Sequence, residues 1–263
     1  MHRQIGVYVL AMLSAFAAPA AALPGIAVYG GTDGVNATRH IADGLTATGA
    51  FGGVTILNGS ESAATLASYS SILYYTNVGG DMSFSNKMTD YIATGGHLVA
   101  ATFLWQADSM GGVNSLGTLS RLLPFSGYNG NYITQVSMVA NQPRDSLLIG
   151  VNSLSAFYHD RTNLVSGARL VASWSDGTPL VAVGANGVIG VNLFPNDAYG
   201  YVYGDYIRLF TNALGGIQPI TGSSSAPDGV PEPASMLLLA AGLGILAHVR
   251  RRTQGSLSTT LAR

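Results

Sequence analysis

The sequence contains no cysteine among its 263 residues. Disulfide bonds, a thiolate nucleophile and cysteine metal ligands are therefore all excluded. Charge is also scarce, because Asp, Glu, Lys and Arg make up 10% of the chain against about 25% in ordinary soluble proteins. Between residues 24 and 217, eleven acidic and seven basic side chains give a net charge of −4. No basic patch is present to neutralise phosphates, so we do not expect a nucleic-acid partner.

Paired glutamates and the usual metal-binding spacings are missing from the central region as well. Glu61 is the single glutamate between residues 24 and 217. This excludes a glycosidase built on two glutamates, but it leaves pairs of aspartates open. The sequence has no His-x-x-x-His and no Asp-x-Asp spacing. We therefore expect no metal site and no cofactor.

The N-terminus has the parts of a signal peptide. A short basic region is followed by an apolar run over residues 5–17. Ala20 and Ala22 then supply the small-residue cleavage pattern, which places cleavage before Leu23. The alternative is a retained membrane anchor, but the run is shorter than the roughly 20 residues that a spanning helix needs. We expect a signal peptidase to remove residues 1–22.

A second set of signals lies at the other end of the chain. Residues 218–229 are rich in Ser, Gly and Pro, a composition typical of a linker. A Pro-Glu-Pro triplet, an apolar segment over residues 234–249 and three arginines then follow in that order. By the positive-inside rule, the arginines stay in the cytoplasm and leave the preceding domain outside. The triplet is Pro231, Glu232 and Pro233, and the arginines are Arg250, Arg251 and Arg252.

This triplet, apolar helix and arginine cluster closely resemble the PEP-CTERM sorting tag of Gram-negative bacteria. The resemblance covers residues 230–252. It implies export, transient anchoring in the inner membrane, and processing by an exosortase that recognises the triplet. It also implies a place at the cell surface or in a matrix of exopolysaccharide and biofilm. Residues 253–263 depart from the pattern, since such tags usually stop soon after the arginines, and would form a cytoplasmic tail. The alternative is an ordinary single-span tail anchor.

Residues 24–217 alternate apolar runs with amphipathic ones, which predicts one α/β domain with a parallel sheet. The predicted strands of the first half are 25–29, 54–57, 72–76 and 98–102. The helices between them cover 36–48 and a segment that begins after an N-cap at Ser85 and ends at Gly95. In the second half we predict strands at 147–151, 168–174, 179–184 and 188–194, and a last helix over 203–214. The turns at 175–178 and 185–187 contain Asp-Gly and Asn-Gly, which favour hairpins.

The order of these elements resembles the class I glutamine-amidotransferase-like fold, a flavodoxin-like fold. Residues 26–31 are similar to its first strand and turn. Residues 91–99 are similar to the helix, double glycine and strand before its nucleophile elbow, and residues 190–196 to its last strand. The resemblance implies a three-layer sandwich with a mainly parallel sheet and C-terminal hairpin strands.

The resemblance also implies where a catalytic triad would lie. In the enzymes, a Cys at the elbow is activated by a His, which a Glu orients. Here the elbow region contains Thr102 as an unactivated hydroxyl, the His position is Phe194 and the Glu position is Asn196. All three members of the triad are absent under this alignment, so we reject amidotransferase chemistry.

A ligand cleft is predicted at the carboxyl edge of the sheet, where such folds bind small molecules. Gly30 and Gly31 precede Asp33 after the first strand and can present N–H groups to an anion. A plain strand-to-helix turn is the simpler explanation of the same residues. His97 and Asp197 are the other candidates for this cleft, although a hydrogen-bonded core histidine and an N-cap or loop role are the simpler explanations of these two residues.

Two functional hypotheses follow. The first is a non-catalytic exported domain that binds or decorates extracellular polysaccharide, because tyrosines on loops can stack on sugars. The tyrosines concerned are Tyr128, Tyr132, Tyr199, Tyr201, Tyr203 and Tyr206, for which packing against the sheet edge is the simpler explanation. The second is a secreted hydrolase that acts on a glycan or ester through Asp33, His97, His159 or Asp197. A membrane-retained structural protein is a third interpretation.

Overall fold

The computed structural model describes residues 23–31, 35–77, 80–105, 116–126, 130–195 and 200–215. The predicted signal peptide with Ala20 and Ala22 and the whole predicted sorting tag lie outside these ranges. The same holds for Asp33, Asn196, Asp197, Tyr128 and Tyr199, and for the side chain of Tyr132. Within the described ranges, no helix combines the length and the apolar character needed to cross a membrane.

Helices and strands alternate along the first half of the domain, and strands dominate the second half. The strands are β1 (Gly25–Tyr29), β2 (Gly53–Ile56), β3 (Ser71–Tyr74), β4 (His97–Ala101), β5 (Phe125–Ser126), β6 (Asn131–Ala140), β7 (Leu154–Asp160), β8 (Asn163–Leu164), β9 (Arg169–Trp174), β10 (Pro179–Val183), β11 (Ile189–Val191) and β12 (Val202–Gly204). The helices are α1 (Val35–Ala47), α2 (Ala63–Ala67), α3 (Met82–Ala93) and α4 (Tyr206–Ala213). Short 3₁₀ helices cover Gly117–Leu122 and Ser146–Leu148.

One large sheet organises the described residues, in the strand order β12-β7-β6-β9-β10-β11-β4-β3-β1-β2. We call β2, β1, β3, β4 and β11 the parallel half, because each neighbouring pair among them is parallel. We call β10, β9, β6, β7 and β12 the antiparallel half, because its strands pair antiparallel with one another and with β11. β5 and β8 form a separate two-stranded sheet.

Helices cover both faces of the parallel half. Ile41 of α1 and Phe210 of α4 belong to one hydrophobic core, together with Val28 on one face of β1. Phe84 of α3 belongs to a second core on the opposite face, together with Ala27 of the same strand. Successive residues of a strand point to opposite faces, so one apolar strand serves both cores. The predicted α/β class and three-layer arrangement are confirmed.

The antiparallel half is built from hairpins. The turns that lead into β10 and β11 contain Gly177 with φ +87° and Gly187 with φ +84°, a backbone region that glycine adopts without steric cost. Both hairpins were predicted from their Asp-Gly and Asn-Gly turns. β6, β7 and β12 were not predicted, and they extend the antiparallel half by three strands.

Three of the predicted elements are corrected by the structure. Residues 147–151, predicted as a strand, begin in a 3₁₀ turn, because the carboxylate of Asp145 caps it by accepting a hydrogen bond from the Leu147 N–H. The N-cap of α3 is Asp81, which accepts from the N–H groups of Ser83 and Phe84, so Ser85 lies inside the helix. The predicted strand over 188–194 is limited to Ile189–Val191.

The last helix begins later than predicted. Tyr203 lies in β12 rather than on the helix, and 48% of its surface is exposed. Gly204 follows with φ +86°, and Asp205 then binds backbone N–H groups of the β7 entry through its carboxylate. These contacts hold residues 202–205 against β7, so the helix starts only at Tyr206.

Candidate functional site

The turn after β1 lies at the carboxyl edge of the parallel half, where a ligand cleft was predicted. Gly31 has φ +53°, which favours glycine. A Cβ at Gly30 would collide with Thr38 Oγ1 of α1 and lie 2.9 Å from the Tyr75 hydroxyl that follows β3. Close packing between α1 and the end of β3 therefore requires Gly30, whether or not a ligand binds.

The elbow after β4 is occupied by a fully bonded polar network. The hydroxyl of Thr102, buried directly after β4, donates to Asn192 Oδ1 at 2.8 Å. The same oxygen accepts the backbone N–H of Asp160 at 2.8 Å. Asn192 Nδ2 donates to the carbonyl oxygens of Asp160 and Pro179 at 2.8 and 2.9 Å. The amide of Asn192 is therefore fully used, and the Thr102 proton points to an amide oxygen, which is not a base.

Aromatic rings fill the position that the resemblance assigns to the catalytic histidine. The ring centroid of Phe194 lies 5.2 Å from that of Phe103, which follows Thr102, and 5.8 Å from that of Tyr75. Phe103 and Phe194 are 5% and 6% exposed, and Tyr75 is fully buried. Such edge and tilted ring pairs stabilise an apolar core. Packed aromatic side chains therefore fill this part of the sheet edge, next to the elbow.

The aromatic cluster continues to the surface. Phe103 contacts Tyr158 of β7, whose ring is 4.7 Å from that of Tyr201 in an edge-on arrangement. Burial, and then the charge and hydrogen bond of Tyr201, raise the pKa of Tyr158. Tyr201 itself is 37% exposed. The cluster thus presents one tyrosine ring to solvent beside the predicted cleft.

His97 does not lie in the predicted cleft, which corrects that assignment. It is the first residue of β4 and is paired in register with Ser71, the first residue of β3. The cleft residues Gly30 and Gly31 follow the carboxyl end of β1. His97 and these glycines therefore lie at opposite edges of the sheet, a full strand length apart. His97 is half-buried, and this burial lowers its pKa and favours the neutral imidazole.

His159 forms a pair that the sequence did not predict. It is fully buried in β7, and its Nε2 lies 2.8 Å from Oδ2 of Asp176 in the turn between β9 and β10. Burial acts to raise the pKa of Asp176, but hydrogen bonds from Thr178 and His159 outweigh it and lower that pKa. The Asp-Gly sequence predicted the turn, but no local signal linked it to a histidine 17 residues earlier.

The structure does not unite the candidate catalytic residues that it describes. His159 is next to Asp160, whose backbone bonds to Asn192, and Asn192 in turn binds Thr102 just after β4. His159 is therefore near the carboxyl end of β4, whereas His97 lies at the start of that strand. Tyr206 of α4 is buried, and its hydroxyl lies 3.2 Å from Nε2 of His40 in α1. The contact joins the two helices, so Tyr206 has a structural role. Among the residues that the structure describes, no three His, Asp or Glu side chains form a group able to hold a metal ion.

Comparison with protein families decides the nature of the C-terminal segment. Residues 229–252 match the family model of the PEP-CTERM protein-sorting motif. The chain carries a PEP-CTERM sorting motif. This motif identifies an exported, surface-directed protein of a Gram-negative bacterium that an exosortase processes, as the Pro-Glu-Pro triplet and arginine cluster predicted.

Solved structures share the fold of the central domain. A ThuA-like protein from Bacteroides uniformis is 16% identical with a TM-score of 0.53, over 77% of this chain and 95% of its own. A GMP synthase subunit from Thermoplasma acidophilum is 12% identical with a TM-score of 0.51, over 74% and 94%. A β-galactosidase from Bacillus circulans is 16% identical with a TM-score of 0.53, over 74% of this PEP-CTERM chain and 31% of the enzyme.

These similarities show the fold alone. They confirm the class I glutamine-amidotransferase-like fold that the sequence resembles. No curated protein matches the sequence of this PEP-CTERM chain significantly.

Proposed function

We propose that the central domain of this exported protein is non-catalytic and that it associates with exopolysaccharide at the cell surface or in the extracellular matrix. The observation that carries the proposal is the ring of Phe194, packed 5.2 Å from Phe103 where an amidotransferase would hold its histidine. A nucleophile at this elbow needs a neighbouring base, and a phenyl ring cannot accept a proton.

The elbow hydroxyl supports the same proposal. Thr102 is fully buried and its proton is held by Asn192, whose other three hydrogen bonds go to backbone groups. To act as a nucleophile, Thr102 would have to break this network and reach a substrate from a buried position. The network is typical of a structural role, in which buried polar groups stay satisfied.

The surface chemistry favours a neutral polymer as the partner. Charged residues make up only 10% of the chain, and tyrosines at positions 201 and 203 are exposed beside the antiparallel half. Aromatic rings with hydroxyl groups bind sugar rings through stacking and hydrogen bonds without needing charge. Exosortase processing delivers the domain to the surface, where it meets such polymers.

Cell fractionation tests this proposal. The full chain is expressed in a Gram-negative host with an exosortase, and polysaccharide is separated from membranes and cytosol. We expect the domain in the polysaccharide fraction, with a C-terminus that mass spectrometry shows to lack Arg250, Arg251 and Arg252. Glu232→Ala should keep it in the membrane. An intact full-length chain in the cytosol would contradict export, and release into medium free of polysaccharide would contradict the association.

A secreted hydrolase is the second candidate, because the pair of His159 and Asp176 has the geometry of a base and its orienting carboxylate. The complete burial of His159 opposes this role. Purified protein is assayed with nitrophenyl esters and glycosides, beside His159→Gln and Asp176→Asn. We expect no turnover by any of them. Hydrolysis by the unaltered protein that either substitution abolishes would replace the proposal with the hydrolase.

A further inference from the structure

The antiparallel half has a face that no core covers. Ser155 and Phe157 alternate with core residues along β7, so they point away from the core that contains Leu154 and Ala156. Neither hydrophobic core of the described residues includes a side chain from this side of β6, β7 or β12. We call this surface, which includes Ser137, Ser155, Phe157 and Tyr203, the open face.

The register of three strands places an aromatic ring and two hydroxyl groups in one row on the open face. Tyr203 of β12 is paired with Ser155 of β7, and Ser155 is paired with Ser137 of β6. Paired residues of neighbouring strands share a face and lie close together. With strands about 4.8 Å apart, the row is roughly 10 Å long. The ring contact between Phe157 and Tyr201, with centroids 6.4 Å apart, borders it.

A pocket of about 310 Å³ lies on this row, between β6, β7 and β12. This volume is at the lower end of the range for small-molecule sites, roughly 300–1,000 Å³. Hydroxyl, amide and aromatic groups line it, from Ser137, Asn152, Ser153, Ser155 and Tyr203, together with the apolar residues Met138 and Leu154 and with Gly204. Carbohydrates have the matching chemistry, since each ring offers hydroxyl groups at its rim and C–H groups on its faces.

The lining of the pocket favours an uncharged ligand. None of the residues that line it is charged. The nearby carboxylate of Asp205 already accepts the N–H groups of Asn152 and Ser153, at 2.8 and 3.0 Å. An anionic or cationic ligand would lose its hydration here without gaining an opposite charge. A neutral ligand carries no such cost.

The pocket is also held rigidly. The Tyr203 hydroxyl donates to the carbonyl oxygen of Gly200, which fixes the ring. The Asp205 N–H donates to the Ser153 carbonyl at 2.7 Å, and a Cβ on Gly204 would collide with that same carbonyl. Binding therefore orders few side chains, which reduces its entropic cost.

We propose that the pocket on the open face, walled by Tyr203, Ser155 and Ser137, binds a neutral saccharide, with the sugar ring stacked on Tyr203. This proposal rests on the proposed association with exopolysaccharide and locates the contact. The site lies on the antiparallel half, and none of the residues that line it belongs to the aromatic cluster that fills the elbow.

Saturation-transfer NMR tests the site with purified full-length protein, kept in a detergent without a sugar head group. The probes are maltohexaose, cellohexaose and mannohexaose, with an alginate hexasaccharide as the charged control. We expect at least one neutral probe to bind and the alginate probe not to bind. Tyr203→Ala should weaken that binding about tenfold or more, as for an aromatic anchor. Tyr203→Phe keeps the ring but loses the bond to Gly200, so it should weaken binding less than Tyr203→Ala does.

Two further variants separate binding from folding. Ser155→Ala should weaken binding at an unchanged melting temperature, because an exposed-face hydroxyl contributes little to stability. Met82→Ala, which shortens a side chain on α3 that is 41% exposed, should change neither. No binding of any neutral probe, preference for alginate, binding unaffected by Tyr203→Ala, or self-association through this face would overturn the site. The cell fractionation result is independent of these outcomes, so the wider function can stand if the site fails.

Discussion

The parallel and antiparallel halves of the sheet differ in how they are buried. The inner strands of the parallel half, β1, β3, β4 and β11, are covered on both faces, and β3 is buried at every position from Ser71 to Tyr74. In the antiparallel half, β6 has a buried Val136 between positions that are mostly exposed, and Ile133 is 67% exposed. Both halves thus contribute to the core, but the outer strands of the antiparallel half leave one face uncovered.

Asn192 joins the two halves. Its side chain binds Thr102 at the end of a parallel strand, and Asp160 and Pro179 in antiparallel strands. Trp174 of β9 donates to its carbonyl oxygen at 2.9 Å. In this fold the same region can hold catalytic residues, whereas here it holds the two halves together.

Removing this link should have the largest effect on stability. Asn192→Ala removes the acceptor of the buried Thr102 hydroxyl and three hydrogen bonds to backbone groups of Asp160 and Pro179, at a cost of about 3–5 kcal/mol in the free energy of unfolding. Urea denaturation measures this difference. Asn186→Ala is the control: it removes two side-chain bonds near the surface, one donated to the Leu122 carbonyl and one accepted from the Val188 N–H, and should cost about 1–2 kcal/mol. Equal effects of the two substitutions would show that Asn192 does not link the halves.

Adding one methyl group to the tightly packed edge of the parallel half should have the second-largest effect on stability. Gly30→Ala forces a Cβ against Thr38 and Tyr75, and overpacking of this kind costs about 2–3 kcal/mol. Gly53→Ala is the control, since nothing lies within 4 Å of its Cβ, and it should change stability by less than about 0.5 kcal/mol. Thermal melts compare the two variants, and Thr38→Ala should partly rescue Gly30→Ala. A neutral Gly30→Ala would contradict the packing explanation.

The same substitution in each half sharpens the contrast directly. Val28→Thr buries a hydroxyl in a fully covered strand and should cost about 1–3 kcal/mol. Val139→Thr places it at a position that is 47% exposed and should cost less than about 0.5 kcal/mol. Both residues are β-branched, so strand propensity hardly changes. Chemical denaturation of the pair gives the difference, and similar costs would mean that the antiparallel half is covered in solution.

The smallest of these expected effects is a pH dependence of stability that arises in the antiparallel half. Hydrogen bonds from Thr178 and His159 hold the folded-state pKa of Asp176 below its ordinary value of 3.8, so these contacts stabilise the fold above that pH. The stabilisation is lost as the pH falls through the lowered pKa. Asp176→Asn should cost less than about 1 kcal/mol at pH 6, and nothing once the carboxylate is protonated in both the folded and the unfolded state. Denaturation at pH 6 and pH 3 measures this, and a cost that grows toward low pH would reverse the sign.

The parallel half could be predicted from the sequence because its strands are short, continuous apolar runs. The predicted strand 25–29 matches β1, and the predicted helix 36–48 matches α1 within one residue at each end. The missed strands β6, β7 and β12 contain serines, tyrosines and a histidine, since one of their faces meets water. Their pairing depends on partners far along the chain, which a local pattern cannot show.

The candidate site was predictable only in what it lacks. The absence of cysteine is read directly from the sequence, and Phe194 falls at the histidine position when the sequence is aligned with the amidotransferase-like fold. The bond between Thr102 and Asn192 joins residues that are 90 apart in sequence, and His97 needed the strand direction to be placed at the opposite edge.

By itself, the sequence determined that the protein is exported and sorted, because the enzymes of export read short linear motifs such as Pro231-Glu232-Pro233 with its apolar segment and arginines. It also determined the fold class, through the alternation of apolar and amphipathic segments. Only the tertiary structure decided which side chains pack around Phe194, at the position that the resemblance assigns to a histidine, and which face stayed open. Both depend on strands that are distant in the chain and adjacent in the sheet, and that adjacency is created only when the chain folds.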